Sequence, residues 1–225
     1  MAGQPSVAID PELGGVVRLA VLYCDNIEID NGAKLWEVFC PFCSEISSRY
    51  QGKTISAVEN IQTARELYRS IGVDPTRNRP SSEALTRRLI KGKDLYRINS
   101  LVDTINYCSL NYMLPLGLYA LDNVQGSSVV LRKGVADEGY AGIGKDWVNL
   151  EGRYSMFDSC GPFGSPTADS DRTKITSQTG RALIIIFAPW SVSPEKLTQH
   201  SALTAETVMN YGGGSPNVHE AGLVQ

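Results

Sequence analysis

The first strongly patterned stretch of the chain is Val16 to Tyr23 (VVRLAVLY), a β-rich run that predicts a strand. The polar, Gly- and Pro-bearing residues before it predict a flexible arm over 1–15. A helix is expected from Asn31, a candidate N-cap, to about Tyr50. A second follows over Ala57 to Ile71, where Val58, Ile61, Ala64, Leu67, Tyr68 and Ile71 keep helical spacing up to Gly72. Residues 72–80 place two prolines around Arg77 and Arg79, which predicts a stiff, extended loop holding both side chains outward. Ser81, a candidate cap, opens a helix to Lys91 with Gly92 at its exit. Asn99 to Tyr112 reads as a further helix with Leu101, Ile105, Cys108 and Tyr112 on one face.

The period changes after Gly126. Val129 to Arg132 predicts a strand, and residues 135–177 predict short β pieces broken by turns. Ala182 to Ala188 is a continuous apolar run that fits a strand buried on both faces. Ser193-Pro194-Glu195 starts a helix reaching about Tyr211, and 212–225 is expected to be a flexible tail. The expected fold class is α+β. One domain would span 16–211: helix-rich over 16–112, strand-rich over 126–190, and closed by the 193–211 helix.

Composition narrows the setting. At 42% hydrophobic and 20% charged residues the chain has an ordinary globular make-up. Its longest apolar run, Ala182 to Trp190, is about half of the roughly 20 residues a membrane helix needs. Without a signal-like N-terminus, a cytoplasmic location and no membrane partner are expected. Five cysteines, an odd count, argue against a disulfide framework. Cys40-Pro-Phe-Cys43 has the spacing of a redox pair or half a zinc site. Without a second ligand pair, and within an apolar helix carrying Trp36, Phe39 and Phe42, core packing is the preferred reading. No metal or cofactor is expected.

The net charge of −3 is unevenly spread. From Arg65 to Arg97 there are nine basic residues against four acidic ones, a net of +5. Two readings are open for this segment, contact with phosphates or solvated helix faces. On the first, Arg77, Arg79, Arg87 and Arg88 are the expected RNA contacts.

Arg97-Ile-Asn-Ser-Leu-Val-Asp-Thr-Ile-Asn-Tyr107 carries a specific resemblance. It continues through Pro115, Leu121 to Gly126, Val129 to Arg132, and Asp158 followed by Gly161-Pro-Phe-Gly164, and it fades near Asp171-Arg172-Thr173 and Ile175. Over roughly 97–190 the chain is similar to the B3/B4 (editing) domain of the phenylalanyl-tRNA synthetase beta subunit. The resemblance implies a B3/B4-like fold, with mixed sheets in a sandwich-like core and helices outside. It also implies tRNA or aminoacyl-tRNA, or a small amino-acid-like ligand, as partner, with no DNA.

In that family the domain hydrolyses the ester of tRNA misloaded with tyrosine. It uses a histidine two residues after the matching proline and a glutamate at the end of the Gly-rich turn. Here those positions are Gly117 and Pro166, and the two histidines, His200 and His219, lie beyond the resemblance. Ester cleavage would therefore need a carboxylate to orient the water, or help from the tRNA's own terminal hydroxyl. Asp158 and Asp103 are the candidates, with Glu138 behind them. Asn99, Asp103 and Asn106 share one helix face, either lining a pocket for an amino group and ribose or bracing loops through buried hydrogen bonds. Gly117, Arg132, Gly161, Gly164 and Arg172 complete the expected ligand site, with Arg172 alternatively paired to Asp169 or Asp171. Three functions stay open: a trans-editing hydrolase, a non-catalytic RNA- or ligand-binding module, or a small-molecule enzyme on the same scaffold. Nothing points to a complete aminoacyl-tRNA ligase.

Overall fold

The computed structural model describes residues 3–144 and 147–225. The strands are β1 (Ser6–Ile9), β2 (Val17–Ile27), β3 (Leu116–Ala120), β4 (Ser128–Lys133), β5 (Gly139–Ala141), β6 (Trp147–Asn149), β7 (Tyr154–Asp158), β8 (Gly161–Ser165), β9 (Ala168–Asp169), β10 (Ala182–Pro189) and β11 (Gly214–Val224). The α-helices are α1 (Ala33–Tyr50), α2 (Ile61–Ser70), α3 (Ser81–Ile90), α4 (Ser100–Tyr112) and α5 (Pro194–Tyr211).

Two larger sheets organise the chain: β1-β4-β7-β8-β9, and β11-β2-β10-β3. The first is mixed, because β1 runs parallel to β4 while β4, β7, β8 and β9 pair antiparallel. Strand alternation decides what fills each side of the second sheet. Leu19, Val21 and Tyr23 of β2, with Leu183, Ile185 and Phe187 of β10, face Val129, Leu131, Met156 and Phe163 of the first sheet. The intervening β2 and β10 residues, from Ala20 and Leu22 to Ile184 and Ile186, face Leu101, Ile105 and Cys108 of α4 and Leu197, Ala205 and Val208 of α5. Covered on both sides, β10 is buried throughout, as its unbroken apolar run requires. A third cluster (Leu35, Trp36, Phe39, Ile61, Leu89, Leu110) joins α1 to α4 outside the sheets. The class is α+β with a sandwich-like core.

Both expected flexible ends are ordered differently. Within the arm, β1 pairs with β4, and Leu13 is buried; residues 1–2 lie outside the described residues. The expected tail is β11, antiparallel to β2 with register shifts at Gly214/Asn217 and Glu220/Gly222. An edge strand needs backbone pairing more than apolar side chains, so the polar composition of this segment concealed it.

Helix starts also shift. Gly32, in left-handed geometry, precedes α1 in place of Asn31, whose side chain accepts from the Ala33 amide. Pro80, not Ser81, is the α3 cap residue, and α2 begins at Ile61 behind a left-handed Asn60. Cys40 is exposed and Cys43 half-buried, which corrects the core-packing reading for Cys40. Burial raises the Cys43 thiol to about 12, with the Cys40 and Asp94 charges adding to it. No helix among the described residues is long and apolar enough to cross a membrane.

Candidate functional site

The expected site is built from Gly117 on β3, the β8 segment, and the polar face of α4. Gly117 and Gly164 do come together, but around a tyrosine. Tyr119 lies two residues after Gly117, hence on the same strand face, and its ring rests on both glycines. A Cβ at Gly117 would stand 2.2 Å from the Tyr119 hydroxyl oxygen, and one at Gly164 would stand 2.2 Å from its Cε1. Tyr119 is 0% exposed and meets Phe163 edge-on, with ring centroids 4.9 Å apart. The space beside the two glycines is therefore occupied by the chain itself. Burial, followed by the charge of Asp169 and then Tyr140, raises the Tyr119 phenol well above its ordinary range, so it stays protonated.

The β8–β9 hairpin beside Tyr119 is tied down by hydroxyls. Tyr140 donates to the Ala168 carbonyl at 2.6 Å, and Ser155 donates to the Gly164 carbonyl at 2.6 Å. Tyr68, reaching from α2, donates to the carbonyl of Pro166, the family's glutamate position. Sequence reasoning missed these tyrosines. The signal it had was Tyr119 at i+2 from a glycine that replaces a large polar residue.

The candidate acids serve as braces. Asp158, with no exposed side-chain surface, receives a bidentate grip from Arg172 at 2.8 and 3.0 Å. It also accepts the Gln125 and Cys160 amides at 2.8 and 2.9 Å. Arg172 adds a bond to the Asn123 carbonyl, so its fork is filled by Asp158, not by Asp169, Asp171 or an open carboxylate site. This clamp fixes the turn leading to Gly161. Asp103, 0% exposed, accepts from the Trp36 indole at 2.8 Å and from the Ile98 amide at 3.1 Å. Burial outweighs these bonds and raises its carboxyl. Asn99 caps α4 by accepting from the Val102 amide at 2.9 Å, and Asn106 is half-buried further along the helix.

Arg132 grips Glu138 through both nitrogens at 2.9 and 2.7 Å and lies 3.4 Å above Phe157. That pairing holds the Glu138 carboxyl down at about 2. The Asp158, Asp103 and Glu138 carboxylates thus belong to separate hydrogen-bonded networks, and the geometry does not gather them around one ligand.

The basic segment divides as well. Arg65 and Arg87 converge on the buried Glu83 at 2.7 Å each. Arg88 is bonded to the Asp94 carbonyl and lies over Tyr96. Arg77 and Arg79 remain exposed, as do Arg69, Lys91 and Lys93. Arg77 and Arg153 both line a small cleft of about 220 Å³ that also includes Asp74, Asn78, Tyr154 and Thr167.

With this geometry in place, comparison with known proteins identifies the domain. A family model described as the B3/4 domain matches residues 63–206, more than half of the chain. The chain belongs to the B3/4 domain family. The match extends past the sequence resemblance and includes His200. Among solved structures, an N-terminal fragment of the phenylalanyl-tRNA synthetase beta-subunit from Pyrococcus horikoshii is similar over 96% of this chain, at 13% identity and a TM-score of 0.48. The chain spans 50% of that fragment. None of the curated proteins matches it. No group of three His, Cys, Asp or Glu side chains among the described residues of this B3/4 domain could hold a metal ion.

Proposed function

We propose that this B3/4 domain is a non-hydrolytic module that binds tRNA or aminoacyl-tRNA through its basic, helix-rich segment. Tyr119 carries the non-hydrolytic half of the reading. It fills the space against Gly117 and Gly164, so a water and an ester carbonyl have no room between them. General-base chemistry needs a group within hydrogen-bond reach of the reacting proton. The buried Asp158 and Asp103 spend their oxygens on Arg172, Trp36 and backbone amides.

The RNA half is supported by where positive charge stays exposed to solvent. Once Glu83 has taken Arg65 and Arg87, the cations that face solvent cluster in the 69–79 and 91–93 stretches. Arg153 adds a guanidinium to the cleft that Arg77 lines. Asp74 in the same cleft accepts from the amide and hydroxyl of Thr76 and pairs with Arg77 at 3.7 Å, a contact that leaves the Arg77 side chain 86% exposed. Phosphate contacts of this kind fix position and affinity without reading sequence. A cytoplasmic setting goes with this reading.

Binding to deacylated tRNA is expected to weaken linearly on a log–log plot against salt. The triple substitution Arg77→Ala, Arg79→Ala, Arg153→Ala is expected to reduce that slope by roughly two to three, about one for each phosphate no longer neutralised. A fluorescence anisotropy titration at several salt concentrations measures both. Binding that ignores salt, or a slope unchanged by the triple substitution, would overturn the RNA reading.

A further inference from the structure

A second cleft, between the end of α4 and the first turns of α5, lies outside both the Tyr119 region and the basic segment. It encloses about 520 Å³, within the roughly 300–1,000 Å³ typical of small-molecule sites. Its polar lining comes from Asn60 at the start of α2, Asn111 at the end of α4, the 191–193 turn, and Lys196, Gln199 and His200 of α5. We propose that this cleft binds a small oxyanion bearing hydroxyl groups, a phosphorylated or carboxylated polyol, held by Lys196 and by the imidazole of His200.

Charge points to an anion. None of the described lining residues is acidic, and Lys196 makes no ion pair among the described residues. Amides and hydroxyls on the remaining walls match a ligand with several hydroxyls, since each amide both donates and accepts. The walls are held in place. Arg18 lies 3.5 Å above Trp190 and bonds the carbonyls of Trp190 and Val192, which fixes the 191–193 turn. His200 stacks on Tyr112, with centroids 4.3 Å apart and planes at 22°.

The imidazole is poised to respond. Burial, and then the Lys196 charge, lower it to about 4, so at neutral pH the empty cleft holds a neutral ring. Tyr112, from α4, meets the ring with a phenol that burial keeps protonated, and its hydroxyl lies 3.3 Å from that of Thr204. Lys196 is the charged group facing it from α5, and α2 and the 191–193 turn contribute only uncharged side chains. A bound anion supplies the missing counter-charge and favours the protonated ring. By linkage, the contribution of His200 to anion affinity rises as pH falls toward its midpoint.

Only His200 and His219 carry imidazoles, and His219, on the exposed edge of β11, serves as the reference signal in a ring-proton NMR titration. The probes are glucose 6-phosphate, gluconate and glucose. At least one anion is expected to raise the His200 midpoint by about one pH unit or more, while glucose leaves it unmoved. Whichever anion acts tells a phosphate site from a carboxylate site. Lys196→Gln, at an exposed position, is expected to weaken that anion about tenfold, a loss of ~1.4 kcal/mol. His200→Gln should remove the rise in affinity toward low pH and leave only the dependence set by the anion's own ionisation. A His200 signal unmoved by all three probes up to about 10 mM, an affinity range too weak to matter, would overturn the proposal. So would equal responses in wild type and Lys196→Gln. Lys196 and His200 lie outside the 65–97 segment, so this result is independent of RNA binding.

Discussion

Gly117→Ala is expected to destabilise the protein by about 2–3 kcal/mol, the upper range for overpacking a filled core. The added methyl would stand 2.2 Å from the Tyr119 hydroxyl oxygen, and the ring has nowhere to retreat because Gly164 abuts its Cε1. Gly117→His, a far larger side chain at the same position, should cost more and yield little folded protein. Tyr119→Ala alone should cost about 3–5 kcal/mol, as truncation of a buried aromatic usually does. The informative quantity is the double mutant. With the ring gone the methyl has room, so the combined loss should fall short of the sum by at least about 1 kcal/mol. Urea unfolding of the four proteins measures this, and simple additivity would contradict the placement of Tyr119.

The second large effect is expected at the Asp158–Arg172 clamp. Arg172→Met leaves a carboxylate with no exposed surface holding only its two backbone donors. Breaking one half of a buried pair costs about 3–5 kcal/mol. The Arg172 side chain is 33% exposed, which places the loss near 3 kcal/mol, the lower end of that range. Arg172→Lys keeps the charge but loses the two-pronged grip and the reach to the Asn123 carbonyl, so it should recover only part of the loss. Chemical denaturation reads this directly. A loss below about 1 kcal/mol for Arg172→Met would mean that the pair is an exposed bridge of the ordinary weak kind.

What the sequence made legible follows from how local each signal is. The apolar run of β10 required burial on both faces, and the structure covers it with a sheet on one side and helices on the other. Asn99 and Ser193 at the starts of α4 and α5 act within one turn of chain, and both cap their helices. Strand β11 was hidden because its partner is β2, nearly two hundred residues earlier, and its side chains are mostly exposed. The partners of the candidate acids were hidden for the same reason. Nothing within a few residues of Asp158 announces Arg172 as its partner, or Trp36 as the partner of Asp103. Polar residues recurring on the face of α4 looked like a pocket wall. Their spacing equally suits a cap at Asn99 and a buried brace at Asp103, and tertiary packing chose the brace. Tyr119 came closest to being readable, since a tyrosine two positions from a glycine on one strand face is the arrangement in which a ring lies over the glycine.

The proposed non-hydrolytic reading rests on Tyr119, whose ring fills the space beside Gly117 and Gly164. The most direct test is the half-life of the ester bond in tRNA charged with tyrosine, phenylalanine and a panel of other amino acids, followed with and without the protein. The prediction is that every half-life stays the same, even at protein concentrations where the tRNA is fully bound. Faster ester loss for any charged tRNA, abolished by Asp158→Asn or by Asp103→Asn, would contradict it.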